Sequence, residues 1–330
     1  MQLEFHYLSV VSGQPKFGQA ATRASEALRT LPVPGAKHGE PAPIKPIDVH
    51  PNLQKFNSQR RSIGASGDSY YEYILKLWLL RRRSALDVSG PPGEAWLEEQ
   101  ALLAEYKDVV QAIEAEMVGR VRLASAAANN LQVRGLSQPV QLAWVGAKNS
   151  AKATLESRME HLTCFVPGML ALGVLSREAE LAHHLGLAQE LMATCMAMYA
   201  STATGLAAEA YEVDSDGLTL KNNAGLLRPE TVESLFLLWR ATGDAQYREW
   251  GWKIFMAVEE HAKLALEAGG GYTAVEDVEV QPVERSDRMD SFFLSETLKY
   301  LWLLFSPDHN LPLHRFVLNT EGHPFPSGGQ

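Results

Sequence analysis

What the chain lacks narrows the field first. Two cysteines in 330 residues are too few for a disulfide-stapled scaffold or a cysteine-built metal cage. Basic residues are outnumbered, 30 Lys and Arg against 39 Asp and Glu, and the net charge of −9 argues against a nucleic-acid partner, whose phosphates demand a basic face. No apolar run approaches the roughly 20 residues that span a bilayer. The longest, Leu75 to Leu80, stops at Arg81-Arg82-Arg83, so no transmembrane segment is expected. The opening Met1-Gln2-Leu3-Glu4-Phe5-His6 has no basic stretch followed by an apolar one, and no signal peptide is visible. What is there, 46% hydrophobic and 21% charged, is the composition of a globular protein long enough to bury a core.

Apolar residues recur at three- and four-residue spacing in about nine segments, near 1–12, 15–30, 68–82, 95–124, 157–175, 177–201, 229–242, 245–267 and 290–305. Alternating strands are few: Gln141 to Val145 and Phe316 to Leu318 are short and isolated. The class is all-α with minor hairpins. Five prolines between Pro32 and Pro46, and another at Pro51, exclude helix from a long excursion over 32–66. Ser89-Gly90-Pro91-Pro92-Gly93 reads as a turn between helices. A weak repeat relates Leu8 to Phe17 and Leu238 to Tyr247. In each, a helix ends at a glycine, Gly13 or Gly243, suited to the left-handed C′ conformation, and four residues later an aromatic enters the next helix. Stacked helix–Gly–helix units build toroids or solenoids.

Five segments hold candidate chemistry. Leu227-Arg228-Pro229-Glu230-Thr231-Val232-Glu233-Ser234 opens a helix on a proline with acids in its first turn. Helix-start chemistry covers this pattern; so does a general base, Glu230, held ionised at the positive helix end with Glu233 on the same face. In Gly67-Asp68-Ser69-Tyr70-Tyr71-Glu72-Tyr73, Ser69 and Glu72 fit a capping box, which leaves Asp68 just outside the helix with no capping duty. A carboxylate amid tyrosines also suits a sugar site. Phe292 and Glu296, one turn apart, put an apolar platform beside a carboxylate, or simply mark a core edge. Asn319-Thr320-Glu321-Gly322-His323-Pro324 is polar without periodicity, as a solvated tail also is. Glu160 and His161 interrupt an apolar helix start, where a packing histidine is equally at home. Cys164 and Cys195, 31 residues apart around a helix hairpin, permit a bridge without requiring one.

In this order the five segments resemble the class I α-1,2-mannosidases, glycoside hydrolase family 47, over nearly the whole chain. The resemblance implies one catalytic domain over 1–330 with the family's (α/α) barrel of seven helix hairpins and short β-hairpins, a Ca²⁺ at its base, and hydrolysis that inverts the anomeric centre. Carried over residue by residue, it makes Glu230 the general base and Asp68 the second carboxylate. Thr320 becomes the one protein ligand of calcium, through hydroxyl and carbonyl. Glu72, Glu233, Glu296 and Glu321 become acids that hold waters or sugar, Phe292 the aromatic under the sugar ring, and Arg228 and His161 polar site residues. Cys164 and Cys195 become a disulfide pair, which implies the secretory pathway, ER or Golgi, with or without a membrane anchor. The implied partner is a high-mannose N-glycan; the alternative is a mannosidase-like glycan-binding protein of ER quality control. Two positions depart from the family pattern. Ser66 stands where Arg or Leu is common and leaves branch preference open, and Asp290 stands where Glu is common. The family's general-acid glutamate lies upstream of the segment resembling Leu3-Glu4-Phe5. About nine helices make too few hairpins for a closed ring, so the expectation is an amino-truncated member with an incomplete barrel and poor activity.

Overall fold

The computed structural model describes residues 1–35, 42–83, 92–127, 129, 141–150 and 153–327. Its helices are α1 (Gln2–Ser12), α2 (Lys16–Thr30), α3 (Asp68–Arg83), α4 (Pro92–Ala112), α5 (Phe165–Leu175), α6 (His184–Ala200), α7 (Glu230–Thr242), α8 (Gln246–Ala257) and α9 (Lys299–Phe305). The strands are β1 (Val49–His50), β2 (Lys55–Phe56), β3 (Val118–Arg122), β4 (Gln141–Val145), β5 (Arg158–Glu160), β6 (Ala210–Asp214), β7 (Gly217–Asn222), β8 (Phe316–Leu318) and β9 (Pro324–Pro326). The chain divides into two compact units: Met1–Met117 with Ala147–Leu155 and Leu311–Gln330, and Val118–Gly146 with Glu156–Asn310.

The first unit is built on α3. Every residue from Tyr71 to Leu80 is buried, because α3 packs against α4, α1 and β8 and has no wholly solvent-facing side over that stretch. The helix starts where it does because the chain ahead of it is folded tightly. The Gly67 backbone passes so close to the Ser62 carbonyl that a Cβ there would lie 2.3 Å from the oxygen, which only glycine escapes. The hairpin of α1 and α2 turns at Gly13 (φ 65°), whose N–H donates to the Val10 carbonyl at 3.2 Å, as the repeat predicts. Within 32–66 the described residues hold only β1, β2 and a single 3₁₀ turn, in line with the prolines. Residues 36–41, and 89–91 of the expected turn, lie outside the described residues; Pro92 and Gly93 open α4 instead.

The second unit centres on α5 and α7. Residues Phe165 to Gly173 are all buried, and each fully buried Leu or Val in such a helix contributes about 1.5–3 kcal/mol. The two helices touch closely where the Gly168 N–H donates to Ser234 Oγ at 2.8 Å, an approach that a side chain at Gly168 would block. The α7–α8 hairpin turns at Gly243 (φ 70°), the second half of the repeat, with Tyr247 in the first turn of α8. A disulfide joins Cys164 to Cys195, Cα atoms 5.9 Å apart, tying the start of α5 to α6. Chain-entropy arguments put such a closure at about 3–4 kcal/mol. One antiparallel sheet has the order β5-β6-β7, and β3 pairs with β4 from Val118–Val145 to Arg122–Gln141.

The expected strands at 141–145 and 316–318 are β4 and β8. Helical periodicity overran its helices at 177–183, which hold only a 3₁₀ turn before α6, at 258–267, where α8 passes into a π turn that ends at Ala262, and at three further places. Over 95–124 the helix gives way to a π turn at Ile113–Met117 and then to β3, whose partner β4 is distant in sequence. At 157–160 the chain is β5, paired with β6. Residues 293–298 form a π turn before α9. In the first two of these three a ladder with a remote segment outweighs local spacing.

Candidate active site

In the second unit, β5 ends at Glu160 and hands the chain to a 3₁₀ turn, His161–Cys164, so His161 sits at a strand-to-turn junction rather than inside a helix. Its ring is all but buried, with 3% of the side chain exposed. Nδ1 lies 3.1 Å from Glu230 Oε2, while Nε2 faces two hydroxyls, Tyr199 Oη at 2.9 Å and Thr231 Oγ1 at 3.0 Å. Among the described residues the other Glu230 oxygen, Oε1, has no hydrogen-bond partner. Pro229 takes the cap position just before α7, and Glu230 and Glu233 fill its first turn, where the helix dipole favours negative charge. Burial pushes the Tyr199 phenol up from its ordinary pKa, so the hydroxyl keeps its proton.

Three residues before Glu230, Leu227 holds φ at 58°, and Thr297 Oγ1 donates to its carbonyl at 2.7 Å. A branched side chain in the left-handed region is strained and needs such support. The kink presents Arg228, whose Nε donates to both oxygens of Glu209 at 2.8 and 2.7 Å and whose guanidinium lies 5.7 Å from the centre of the Phe292 ring. Glu233 is buried and accepts from Tyr300 Oη at 3.0 Å; Glu296 is buried on the π turn that follows Phe292. The second unit therefore brings together His161 with Glu230, and Arg228 with Phe292.

In the first unit, Asp68 is itself the first residue of α3, and its Oδ1 accepts the Ser69 N–H at 2.8 Å. The expected capping box does not form: Ser69 Oγ turns to Asp68, and buried Glu72 pairs instead with buried Lys76, one turn on. Lys76 Nζ also donates to the Asn319 carbonyl at 3.3 Å. The β8–β9 turn is held from several sides. Asn319 Oδ1 accepts the Glu321 and His323 N–H groups at 3.1 and 2.7 Å, and the Thr320 N–H donates to Tyr73 Oη at 3.2 Å. Tyr73 Oη and Asn319 Nδ2 both donate to Glu4 Oε1, at 2.7 and 2.9 Å. Burial works to raise the Glu4 pKa, but these donors prevail and hold it below the ordinary value. Thr320 is half-buried and Glu321 exposed, so the turn brings Thr320 to Tyr73 and leaves Glu321 facing solvent.

With both sets of residues placed, the sequence can be compared with known proteins. The pattern of Glycosyl hydrolase family 47 matches residues 1–327. The chain belongs to glycosyl hydrolase family 47. It is 38% identical over 359 residues to mannosyl-oligosaccharide 1,2-alpha-mannosidase MNS3 of Arabidopsis thaliana, covering 99% of this chain and 52% of that protein. To the endoplasmic reticulum mannosyl-oligosaccharide 1,2-alpha-mannosidase of Homo sapiens it is 35% identical, over 99% of this chain and 42% of the relative. The chain thus spans about half the length of the curated relatives it matches. The solved alpha-1,2-mannosidase from Trichoderma reesei, an (α/α) barrel, is similar in fold, with a TM-score of 0.77 at 23% identity over 98% of this chain and 64% of that one, and the described residues form no closed barrel.

Within this family 47 chain the sequence reading missed the partners rather than the carboxylates. Lys76 was legible: it sits four residues after Glu72, a single cation inside the apolar run Ile74 to Leu80. Glu209 closes the apolar stretch Leu206-Ala207-Ala208 with an acid, a faint signal. Tyr199 and Thr231 carry none, because each fits the apolar face of its own helix.

Proposed function

We propose that the chain is a glycosidase that removes α-1,2-linked mannose from high-mannose N-glycans with inversion, acting as one catalytic domain over 1–330. The observation that carries this reading is the half-engaged Glu230 carboxylate: one oxygen is tied to His161 and the other has no partner among the described residues. A general base must be oriented yet keep an oxygen for the water it deprotonates. In this reading Glu230 takes the water's proton as the water attacks the anomeric carbon and the glycosidic C–O bond breaks, the departing oxygen taking its proton from the side of Asp68. Arg228, braced by Glu209, and the Phe292 face position the sugar. Asp68 is the second carboxylate, Glu233, Glu296 and Glu321 order hydroxyls and water, and Glu72 is a further acid of the site, paired with Lys76.

Calcium suits the Thr320 turn. The Thr320 hydroxyl and carbonyl are hard oxygen donors without hydrogen-bond partners among the described residues, on a turn whose own amides are tied back. Among the described residues no group of three or more His, Cys, Asp and Glu is placed to hold a metal, so water and sugar hydroxyls complete such a sphere. Bound there, Ca²⁺ would fix those hydroxyls and waters in place. The disulfide and the endoplasmic reticulum relative support a location in the secretory pathway. Among the described residues no helix is long and apolar enough to cross a membrane.

The test is incubation with a nine-mannose N-glycan, following the released sugar by proton NMR with and without a chelator. Slow release of free mannose, first as the β-anomer and lost on chelation, is expected. An α-anomer at first release overturns inversion, and turnover indifferent to chelation overturns Thr320 as the calcium ligand. Glycan binding with no released mannose favours a recognition protein over an enzyme.

A further inference from the structure

The contacts of His161 have a polarity that its neighbours decide. Glu230 Oε2 faces Nδ1 at 3.1 Å, and an ionised carboxylate only accepts, so the proton between them belongs to Nδ1. A neutral ring then has its lone pair on Nε2, which needs a donor in a place where water is excluded. Tyr199 Oη is 2.9 Å from Nε2 on a side chain only 7% exposed, and the two rings meet edge to face, centroids 5.7 Å apart. Thr231, wholly buried and next in sequence to Glu230, brings its Oγ1 to 3.0 Å from the same nitrogen.

The geometry points to Tyr199 as a positioning residue: its hydroxyl, the nearer of the two at Nε2, donates to His161 and holds the imidazole in the Nδ1–H tautomer aimed at Glu230. The hydrogen bonds then run one way, from Tyr199 through His161 to Glu230. Burial raises the Tyr199 pKa and so keeps the phenolic proton that this order requires. The opposite tautomer would set a ring lone pair against the carboxylate and release Glu230 from its orientation. The catalytic consequence rests on the mannosidase reading; the tautomer does not.

Nitrogen-15 NMR of the full chain tests the tautomer without any substrate, with the His161 signals assigned by their loss in His161→Asn. The expected resting spectrum at neutral pH shows a protonated Nδ1 and a bare Nε2. A bare Nδ1, or protons on both nitrogens, overturns the inference. Tyr199→Phe is expected to mix the tautomers and lower kcat about tenfold with KM within about twofold, the size of one lost hydrogen bond. Thr231→Val, which keeps the phenol, is expected to retain the wild-type tautomer. If Thr231→Val switches the ring and Tyr199→Phe does not, the donor is Thr231 and the assignment to Tyr199 fails. The wild-type spectrum decides the matter even if Tyr199→Phe does not fold. An Nδ1–H ring in a protein that releases no mannose supports the tautomer and overturns the functional reading alone.

Discussion

The two units partner their carboxylates differently. In the first, Glu72 is paired with Lys76, and Glu4 Oε1 accepts from both Tyr73 and Asn319; these contacts hold the β8–β9 turn that presents Thr320. In the second, Glu230 has one partnered oxygen and one without a hydrogen bond among the described residues. A buried carboxylate paired with a cation, as Glu72 is with Lys76, holds structure, while an oxygen left without a hydrogen bond beside a buried imidazole, as in Glu230, is available for chemistry. The strained residues sharpen the parallel. Ser66 (φ 70°) lies two residues before Asp68, and Leu227 (φ 58°) three before Glu230, so both helices that open on a proposed catalytic carboxylate are preceded by left-handed backbone.

The comparison breaks most visibly at Glu230. Glu230→Gln should cost about 10²–10⁴ in turnover, the usual weight of a general base. Thermal unfolding should hardly change, since the glutamine oxygen still accepts from His161; a large fall in melting temperature would move Glu230 to the structural class. The reverse profile is expected at Lys76. Lys76→Met leaves Glu72 buried and unpaired, a loss of about 3–5 kcal/mol in urea unfolding, and the double variant Glu72→Gln/Lys76→Met should recover much of it. If Lys76→Met unfolds like wild type, the Glu72–Lys76 pair is not holding the turn.

The smallest effect concerns Glu4. Its pKa is lowered in the folded protein from 4.5, so its contribution to stability is present above that value and is lost as pH falls through the lower folded value. The side chain is 32% exposed, and solvent screening keeps the effect modest. Melting temperatures below pH 4.5 should drop more steeply for wild type than for Glu4→Gln. Parallel curves would show that Tyr73 and Asn319 do not stabilise the ionised form.

The helix hairpins were legible because their signals are local. Gly13 and Gly243 announce themselves by residue type and by the aromatic four residues later, and both take the left-handed turn that the repeat predicts. The acids of the site were legible as acids where periodicity gives no reason for them. Their duties were less so. The capping box assigned to Ser69 and Glu72 obeyed a local rule, and it lost to a buried lysine one turn on and to a cap by Asp68. The strands β3 and β5 were hidden because a ladder depends on a partner that spacing along one segment does not contain.

By itself the sequence determined the helical class, the hairpin turns, the family and the inventory of carboxylates, since each rests on residue type and spacing along a single stretch of chain. Tertiary structure alone decided which partners each carboxylate finds. It did so by placing Tyr199, 38 residues from His161 in sequence, and Glu230, 69 residues away, on opposite nitrogens of one ring. A hydrogen bond has force only within about 3 Å and at a favourable angle, and separation along the chain says nothing about either.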